Sequence, residues 1–406
     1  MNERASQTTR VNSRRAVRGC IRKLGSTYSI VLSLGRDPET GKRIRQWIAV
    51  KGTKKDAERM LTELLHQHDT GAYVKPGRMT VADYLRQWLS DYAAPSLSPR
   101  TMEGYETIIR VHLIPSLGKT PLTRLRSDHV QQYMATKLAS GRTDGTGGLS
   151  PRTVHHHHAV LHDALQTAVK WGLVTRNVAD AVEPPKCQRT EMHVLDEATL
   201  QRVLQAARDS EYYVPFYMAL FTGLRRSELL ALRWSDVDLL NGQVSVNRAL
   251  HQLRDRSFVF RAPKSAKGRR TVALPPSAAD ALRHHLDHKM DVASHGRTTL
   301  RDDDLLFTRP NGSPILPDTL SKAWEKLMRR TGVSGVRLHD ARHTHASLML
   351  KAGIHPKIVQ ERLGHSTISV TLDTYSHVAP GLQEAAAKHF DDLFTQPSDA
   401  PSHVQG

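Results

Sequence analysis

From Val81 to about Val182 apolar residues recur at helical spacing, and a run of roughly a hundred residues with that period commits this part of the chain to an all-helical domain. Within it, Ser98-Pro99-Arg100-Thr101 and Ser150-Pro151-Arg152-Thr153 each set a serine cap ahead of a proline at the first helical position, so two helices begin there. Gly141 to Gly148 separates them as a flexible loop, and Glu183-Pro184-Pro185-Lys186 closes the segment as a stiff linker. A domain bounded in this way forces the flanking sequence into units of its own. At about 150 residues per domain, a chain of 406 has room for two or three.

Ahead of the helical run, Thr27 to Leu34 and Arg43 to Val50 are rich in strand formers, and Asp37-Pro38-Glu39-Thr40-Gly41 between them has hairpin-turn chemistry. Lys54 to His68 then carries Ala57, Met60, Leu61, Leu64 and Leu65 at helical spacing, which predicts one helix laid on a small sheet. Residues 1–18 lack apolar periodicity and are expected to form a flexible basic arm; Gly71 to Arg78 reads as a linker. Behind the helical run a third unit starts near Thr190. It has Asp196 as a helix cap, Leu200, Val203, Leu204 and Ala207 on one face, and a strand pair at Gln243 to Leu250 and Arg269 to Leu274. Helices are expected to resume at about Pro317, and the last fifteen or so residues to form a loose tail.

Charge narrows the partner. The 58 Lys and Arg against 40 Asp and Glu give a net +18, and residues 1–60 alone hold 15 basic and 5 acidic residues, or +10 of it. Such an excess points to a polyanion, with nucleic acid the best fit. Hydrophobic and charged shares of 39% and 24% exclude a fully disordered or fibrous chain. Two cysteines, Cys20 and Cys187, make neither a disulfide framework nor a four-thiolate zinc site, so a reducing cytosol is expected. Tyr212 to Leu224 falls short of the roughly 18 apolar residues of a membrane span and contains Pro215 and Thr222; it reads as a core helix. The first twenty residues lack the apolar run of a secretory signal.

Four strings carry chemistry. Thr222-Gly223-Leu224-Arg225-Arg226-Ser227-Glu228 precedes a helix former, and Leu338-His339-Asp340-Ala341-Arg342-His343-Thr344-His345 puts His339 and Arg342 three apart on one helical face. Leu363-Gly364-His365-Ser366 and Asp373-Thr374-Tyr375-Ser376-His377 follow. Guanidiniums, imidazoles and a phenol suit phosphoryl transfer without a metal, because arginine stabilises a phosphorane's equatorial charge bidentately. A tyrosine hydroxyl ionises near pH 10, so it needs a neighbouring base and cationic surroundings to become a nucleophile. A leaving alkoxide needs a proton, which a hairpin lysine such as Lys264 could deliver.

In this order and spacing, Arg225, Lys264, His339, Arg342, His365 and Tyr375 resemble the tyrosine recombinase, or phage integrase, family, whose pattern is Arg, Lys, His-x-x-Arg, His or Trp, then Tyr. The resemblance implies a multidomain fold, mainly α with small β elements. A three-stranded sheet plus helix at 19–70 would bind arm sites, an all-helical core-binding domain would span 79–185, and an α+β catalytic domain 190–395, leaving 396–406 as a tail. It implies an enzyme that cleaves and rejoins double-stranded DNA through a 3′-phosphotyrosine to integrate or excise a mobile element, with no cofactor and no metal. Arg225, Arg342 and His365 would stabilise the phosphorane, Lys264 would protonate the leaving oxygen, and His339 would handle the proton of Tyr375. The implied partners are core and arm attachment sites, three further copies in a tetramer, a host DNA-bending protein and a directionality factor, all in the bacterial cytoplasm.

Each residue also has a plainer reading. Arg225 could be a surface arginine, His339 and Arg342 an exposed pair, His365 a cap, Tyr375 a packed aromatic, and Lys264 a solvated lysine with Lys267 three residues away. His343, His345 and His377 read as structural. The run His155 to His158 cannot converge on one ion, because consecutive helical side chains diverge by about 100°; a DNA-facing helix surface is expected there. The same chemistry would serve a type IB topoisomerase, and a regulator that kept the fold without catalysis is the reading from another class.

Overall fold

The computed structural model describes residues 18–36, 41–69, 79–188, 192–263, 266–296 and 299–375, with a few positions between 387 and 394. The expected basic arm, most of the hairpin turn, the linker after Gly71 and the tail lie outside these residues. The chain is mainly helical with small antiparallel sheets, in two compact units, Met1–Gln188 and Arg189–Gly406.

The first unit opens with strands β1 (Arg18–Leu24), β2 (Thr27–Arg36) and β3 (Arg43–Val50), antiparallel in the order β1-β2-β3. Alternation on β3 sends Arg43, Arg45 and Trp47 to the open face and Val50 inward, and Arg22 of β1 lies over the Trp47 ring at 5.5 Å. The helix Lys54–Asp69 covers the other face, where Ile30, Leu32, Val50 and Ala57 are buried with Leu61, Leu64 and Leu65 packed on them. Its start is fixed reciprocally: the Thr53 amide donates to Asp56 at 2.9 Å and the Asp56 amide to the Thr53 hydroxyl at 3.3 Å. Met60, expected on the packed face, is exposed.

The helical run follows, and both serine caps form as expected: Ser98 accepts the Thr101 amide and Ser150 that of Thr153. Two segments of wider π-type winding, Leu89–Ala93 and Ile108–Leu113, stand just ahead of Pro95 and Pro115. A proline lacks the N–H and crowds the carbonyl one turn back, and the wider turn accommodates both defects without ending the helix. Tyr84, Leu85, Trp88, Ile109, Leu113 and Leu161 form the dry centre of this core. The histidine run departs from expectation. On the helix Pro151–Lys170, His157 and His158 point inward, where His157 Nδ1 meets the Tyr133 hydroxyl at 2.8 Å and His158 Nε2 the Ala179 carbonyl at 3.2 Å. Only His155 and His156 face solvent, so the run is half core and not a uniform outer surface.

In the second unit Asp196 caps the helix Glu197–Ala207 through the Thr199 amide at 2.7 Å, and Val203 and Ala207 are buried. The helix Tyr213–Thr222 packs Phe216, Met218, Ala219 and Leu220 into the centre, as a core helix should. The expected strand pair is present but shorter. Strands β4 (Val237–Asp238), β5 (Gln243–Val246) and β8 (Arg270–Ala273) form one sheet. The chain breaks at Asn247-Arg248 and continues as a separate ribbon of β6 (Ala249–Gln252) and β7 (Phe258–Arg261). Helices resume earlier than expected, with Pro276–His295, before Pro317–Arg330, Leu338–Lys351, Pro356–Leu363 and Ile368–Tyr375. No helix among the described residues is long and apolar enough to cross a membrane.

Candidate active site

The site is assembled where the helix Tyr213–Thr222 ends. Gly223 closes it in the left-handed region, with φ 65°, and any Cβ there would stand 2.7 Å from Leu363 Cδ2 and 2.8 Å from His345 Cδ2. Only glycine fits both the torsion and the space. The chain then turns extended through Arg225, which precedes the short helix Arg226–Leu229. Glu228, at the third helical position, accepts the Arg225 amide at 3.0 Å with one carboxylate oxygen and holds its guanidinium at 2.6 Å with the other. Arg270, from β8, donates to the same carboxylate at 2.9 Å.

Three arginines converge on the end of the helix Pro356–Leu363. Arg270 Nε donates to the Arg362 carbonyl at 2.7 Å, Arg342 Nη2 to that of Leu363 at 2.5 Å, and Arg225 Nη2 reaches that of Gly364 at 3.5 Å. The last carbonyls of a helix lack intrahelical partners and carry the negative end of its dipole, so they orient cations without neutralising them. Arg342 is buried and also donates to the Gly223 carbonyl at 2.7 Å. Burial and the nearby Arg225 lower its pKa to about 9, which leaves it protonated at neutral pH. Burial pushes the Glu228 carboxyl up, but Arg270 and Arg225 outweigh it and hold it below its ordinary value. Three guanidiniums against one carboxylate leave a surplus of two positive charges among these four side chains, a ready seat for an anion.

The imidazoles and the phenol stand beside this seat. His365 follows Gly364, which ends the helix in the left-handed region, and its Nδ1 pairs with the Thr371 hydroxyl at 2.9 Å. Burial, then Arg342 and Arg225, push its pKa down to about 3, so it is neutral until an anion arrives. Tyr375 ends the helix Ile368–Tyr375 with no exposed surface, its ring nearly parallel to that of His365 at 6.5 Å. Burial raises its pKa to about 12, against the opposing pull of Arg342 and Arg225. His339 and Arg342 do share the helix Leu338–Lys351, with His339 at the solvent edge and Arg342 inward. Partial loss of water around its ring, then the nearby His343 and Arg342, hold the His339 pKa below the ordinary imidazole value.

Arg225, Arg342, His365 and Tyr375 are therefore brought together, with His339 one helical turn from His343 and its ring 5.0 Å away. Lys264 lies outside the described residues. Its neighbour Lys267 donates to the Ser366 carbonyl at 2.8 Å, which places that end of the loop beside His365. Two side chains escaped the sequence reading. Arg270 is one of an Arg269-Arg270 pair on a strand, where the pleat decides which turns inward. His343 was expected to be structural, yet its Nδ1 is 2.8 Å from the Tyr375 hydroxyl. His345 is structural: its Nε2 accepts from Arg362 Nε at 3.0 Å.

A mainly helical unit that gathers arginines, imidazoles and a buried tyrosine at one helix end defines a class of DNA strand-transfer enzymes. The chain belongs to the phage integrase family of tyrosine recombinases: residues 193–381 match the phage integrase family model and residues 80–138 that of the phage integrase N-terminal SAM-like domain. It is 28% identical over 385 residues to a tyrosine recombinase XerC-like protein of Caldanaerobacter subterraneus subsp. tengcongensis, covering 90% of this chain and 96% of that one. It is 25% identical to the ICEBs1 integrase of Bacillus subtilis, covering 90% and 97%. The fold is similar to that of the Tn1549 transposon integrase solved with a circular intermediate DNA, with a TM-score of 0.64 at 21% identity over 78% of this chain and 99% of that one. It is also similar to lambda integrase, solved as a tetramer on a Holliday junction, with a TM-score of 0.54 at 18% identity over 86% and 92%.

Proposed function

We propose that this chain is a site-specific integrase that cuts and rejoins duplex DNA through Tyr375, to integrate or excise the mobile element that encodes it. The observation that carries this reading is the convergence of Arg225, Arg342 and Arg270 on three successive carbonyls beside the buried Tyr375. A scissile phosphate in that seat would meet fixed guanidiniums on its equatorial oxygens, where transition-state charge builds. Its negative charge would favour protonated His365, turning that imidazole into a donor, with Thr371 accepting on the far nitrogen. Tyr375 attacks phosphorus, the 5′-oxygen leaves with a proton from Lys264, and an imidazole of the His339 and His343 pair takes the phenolic proton. The phosphotyrosine conserves the bond energy, so the reverse attack by a 5′-hydroxyl of another duplex rejoins the strands without a cofactor.

The remaining parts support the same reading. Residues 19–70 expose Arg22, Arg43, Arg45 and Trp47 on the open sheet face, a surface of cations and one stacking ring suited to distant arm sites. Residues 79–185 form the core-binding domain and 190–395 the catalytic domain, working as a homotetramer in the bacterial cytoplasm with a host bending protein and a directionality factor. The test mixes two differently labelled duplexes that the protein itself has selected from fragments of its own replicon. Strand exchange between them, abolished by Tyr375→Phe, is the expected result. Relaxation of supercoils without exchange would make the chain a topoisomerase, and binding without any covalent adduct a regulator.

A further inference from the structure

The hydroxyl that must lose a proton already touches an acceptor outside the six-residue set. His343 Nδ1 stands 2.8 Å from Tyr375 Oη, and the ring centroids are 5.7 Å apart. His339, one turn earlier on the same helix, meets His343 edge to face at 5.0 Å. We propose that His343 is the general base for Tyr375, taking the phenolic proton on Nδ1 during cleavage and returning it during rejoining. The inference rests on the phosphotyrosine reading of the site and assigns one proton within it.

The step balances without another reactant. As the Oη–P bond forms, the O–H proton passes to Nδ1 and the P–O5′ bond breaks, the leaving oxygen taking its own proton from Lys264. On rejoining, the 5′-hydroxyl attacks phosphorus as its proton returns to the Lys264 amine, the Oη–P bond breaks, and the departing phenolate recovers its proton from the His343 imidazolium.

The surroundings suit both protonation states. Burial, then Arg342 and Arg337, hold the His343 pKa below the ordinary imidazole value, so at neutral pH the ring is neutral. With its own proton on Nε2, Nδ1 is free to accept from Oη. Asp340, three residues back on the same helix, favours the imidazolium once it forms. The titratable and charged groups about His343 are Asp340, His339, Arg342 and Arg337 from its own helix or its cap, and Tyr375 and His365 from the elements packed against it. A phenol buried until it ionises only near pH 12 cannot supply phenolate by itself at neutral pH, so a base in contact has work to do.

The decisive variant is His343→Asn in the full chain, because the asparagine carbonyl can replace Nδ1 as a hydrogen-bond acceptor but cannot hold the proton. On a nicked duplex selected by the protein, single-turnover adduct formation is read on a denaturing gel, alongside gel-shift binding of the same duplex. The expected result is unchanged binding and an adduct rate about 100-fold lower at pH 7. That rate should climb about tenfold per pH unit up to pH 9, as hydroxide replaces the missing base, while the wild-type rate stays flat. His343→Ala should regain rate saturably with added imidazole, and this arm keeps the test open should the asparagine variant not fold. An asparagine variant within threefold of wild type overturns the proposal. So does a slow variant with the wild-type pH profile and no imidazole rescue, the signature of a merely structural histidine. Absence of an adduct with the wild type itself would overturn the phosphotyrosine reading along with it.

Discussion

A missing Cβ at Gly223 decides where two helices and an arginine can meet. The residue holds a positive φ, lies against Leu363 and His345, and gives its carbonyl to Arg342. Gly223→Ala should cost about 1–3 kcal/mol of stability, read from urea unfolding, and should slow adduct formation more than it weakens DNA binding. Unchanged unfolding would show that the turn relaxes freely. Glu228 bears on the same arginines differently: it is buried, and its two oxygens hold Arg225 and Arg270. Glu228→Gln keeps the shape but leaves two guanidiniums without their anion, so a loss of about 3 kcal/mol or more is expected, with adduct formation falling. A variant as stable and active as wild type would contradict that role. At this scale the sequence was legible in residue type and order, since Arg225, Arg342, His365 and Tyr375, singled out by those alone, come together at one helix end. It was not legible at His343 or Arg270, whose place beside Tyr375 and Glu228 comes from a contact across 32 residues and from the pleat of a strand.

Among the elements, the end of the helix Pro356–Leu363 does most to define the site, since its last carbonyls fix the arginines in register. That function follows from termination at Gly364, and the Leu-Gly-His string carried the signal. The helix Pro276–His295 left a weaker trace. Its buried side includes only Ala278, Ala279 and Leu282, small or widely spaced, so its apolar stripe is faint in a sequence crowded with histidine and aspartate. The single strand expected from Gln243 to Leu250 divides because Asn247 and Arg248 turn back to the Asp236 carboxylate and the Ala231 carbonyl.

The helix Pro151–Lys170 makes a pH prediction. Burial, with His112 and other nearby cations, lowers the His157 pKa to about 4, and burial also lowers those of His112 and His158. A histidine with a depressed folded pKa binds more protons when unfolded, so its contribution to stability is complete above the unfolded value near 6.5 and drains as pH falls toward 4. Hydrogen exchange across this helix should accelerate between pH 7 and pH 4.5 after correction for intrinsic rates. Constant protection would contradict neutral burial of these rings.

Across the whole molecule the +18 charge has two uses, since residues 1–60 hold +10 of it and the site keeps its surplus on a few fixed guanidiniums. Binding to duplex DNA should weaken steeply with salt, the slope of log K against log salt steepening by about 0.9 for each phosphate neutralised. Removing residues 1–70 should flatten that slope while sparing cleavage at a core site; a truncated protein unable to form its adduct would refute the division of labour. The end of the helical run was legible in Pro184-Pro185, which stands just ahead of the division at Gln188 between the two compact units. The inward turn of His157 was not, because two of four adjacent identical residues face the core.

The central claim is that Tyr375 becomes covalently joined to DNA, and the most direct measurement is proteolysis of the denatured adduct followed by mass mapping of the nucleotide-bearing peptide. The account predicts a nucleotide attached through its 3′-phosphate to Tyr375, and to no other residue. A nucleotide on a different side chain, or strand exchange proceeding with no tyrosine-linked DNA, would contradict it.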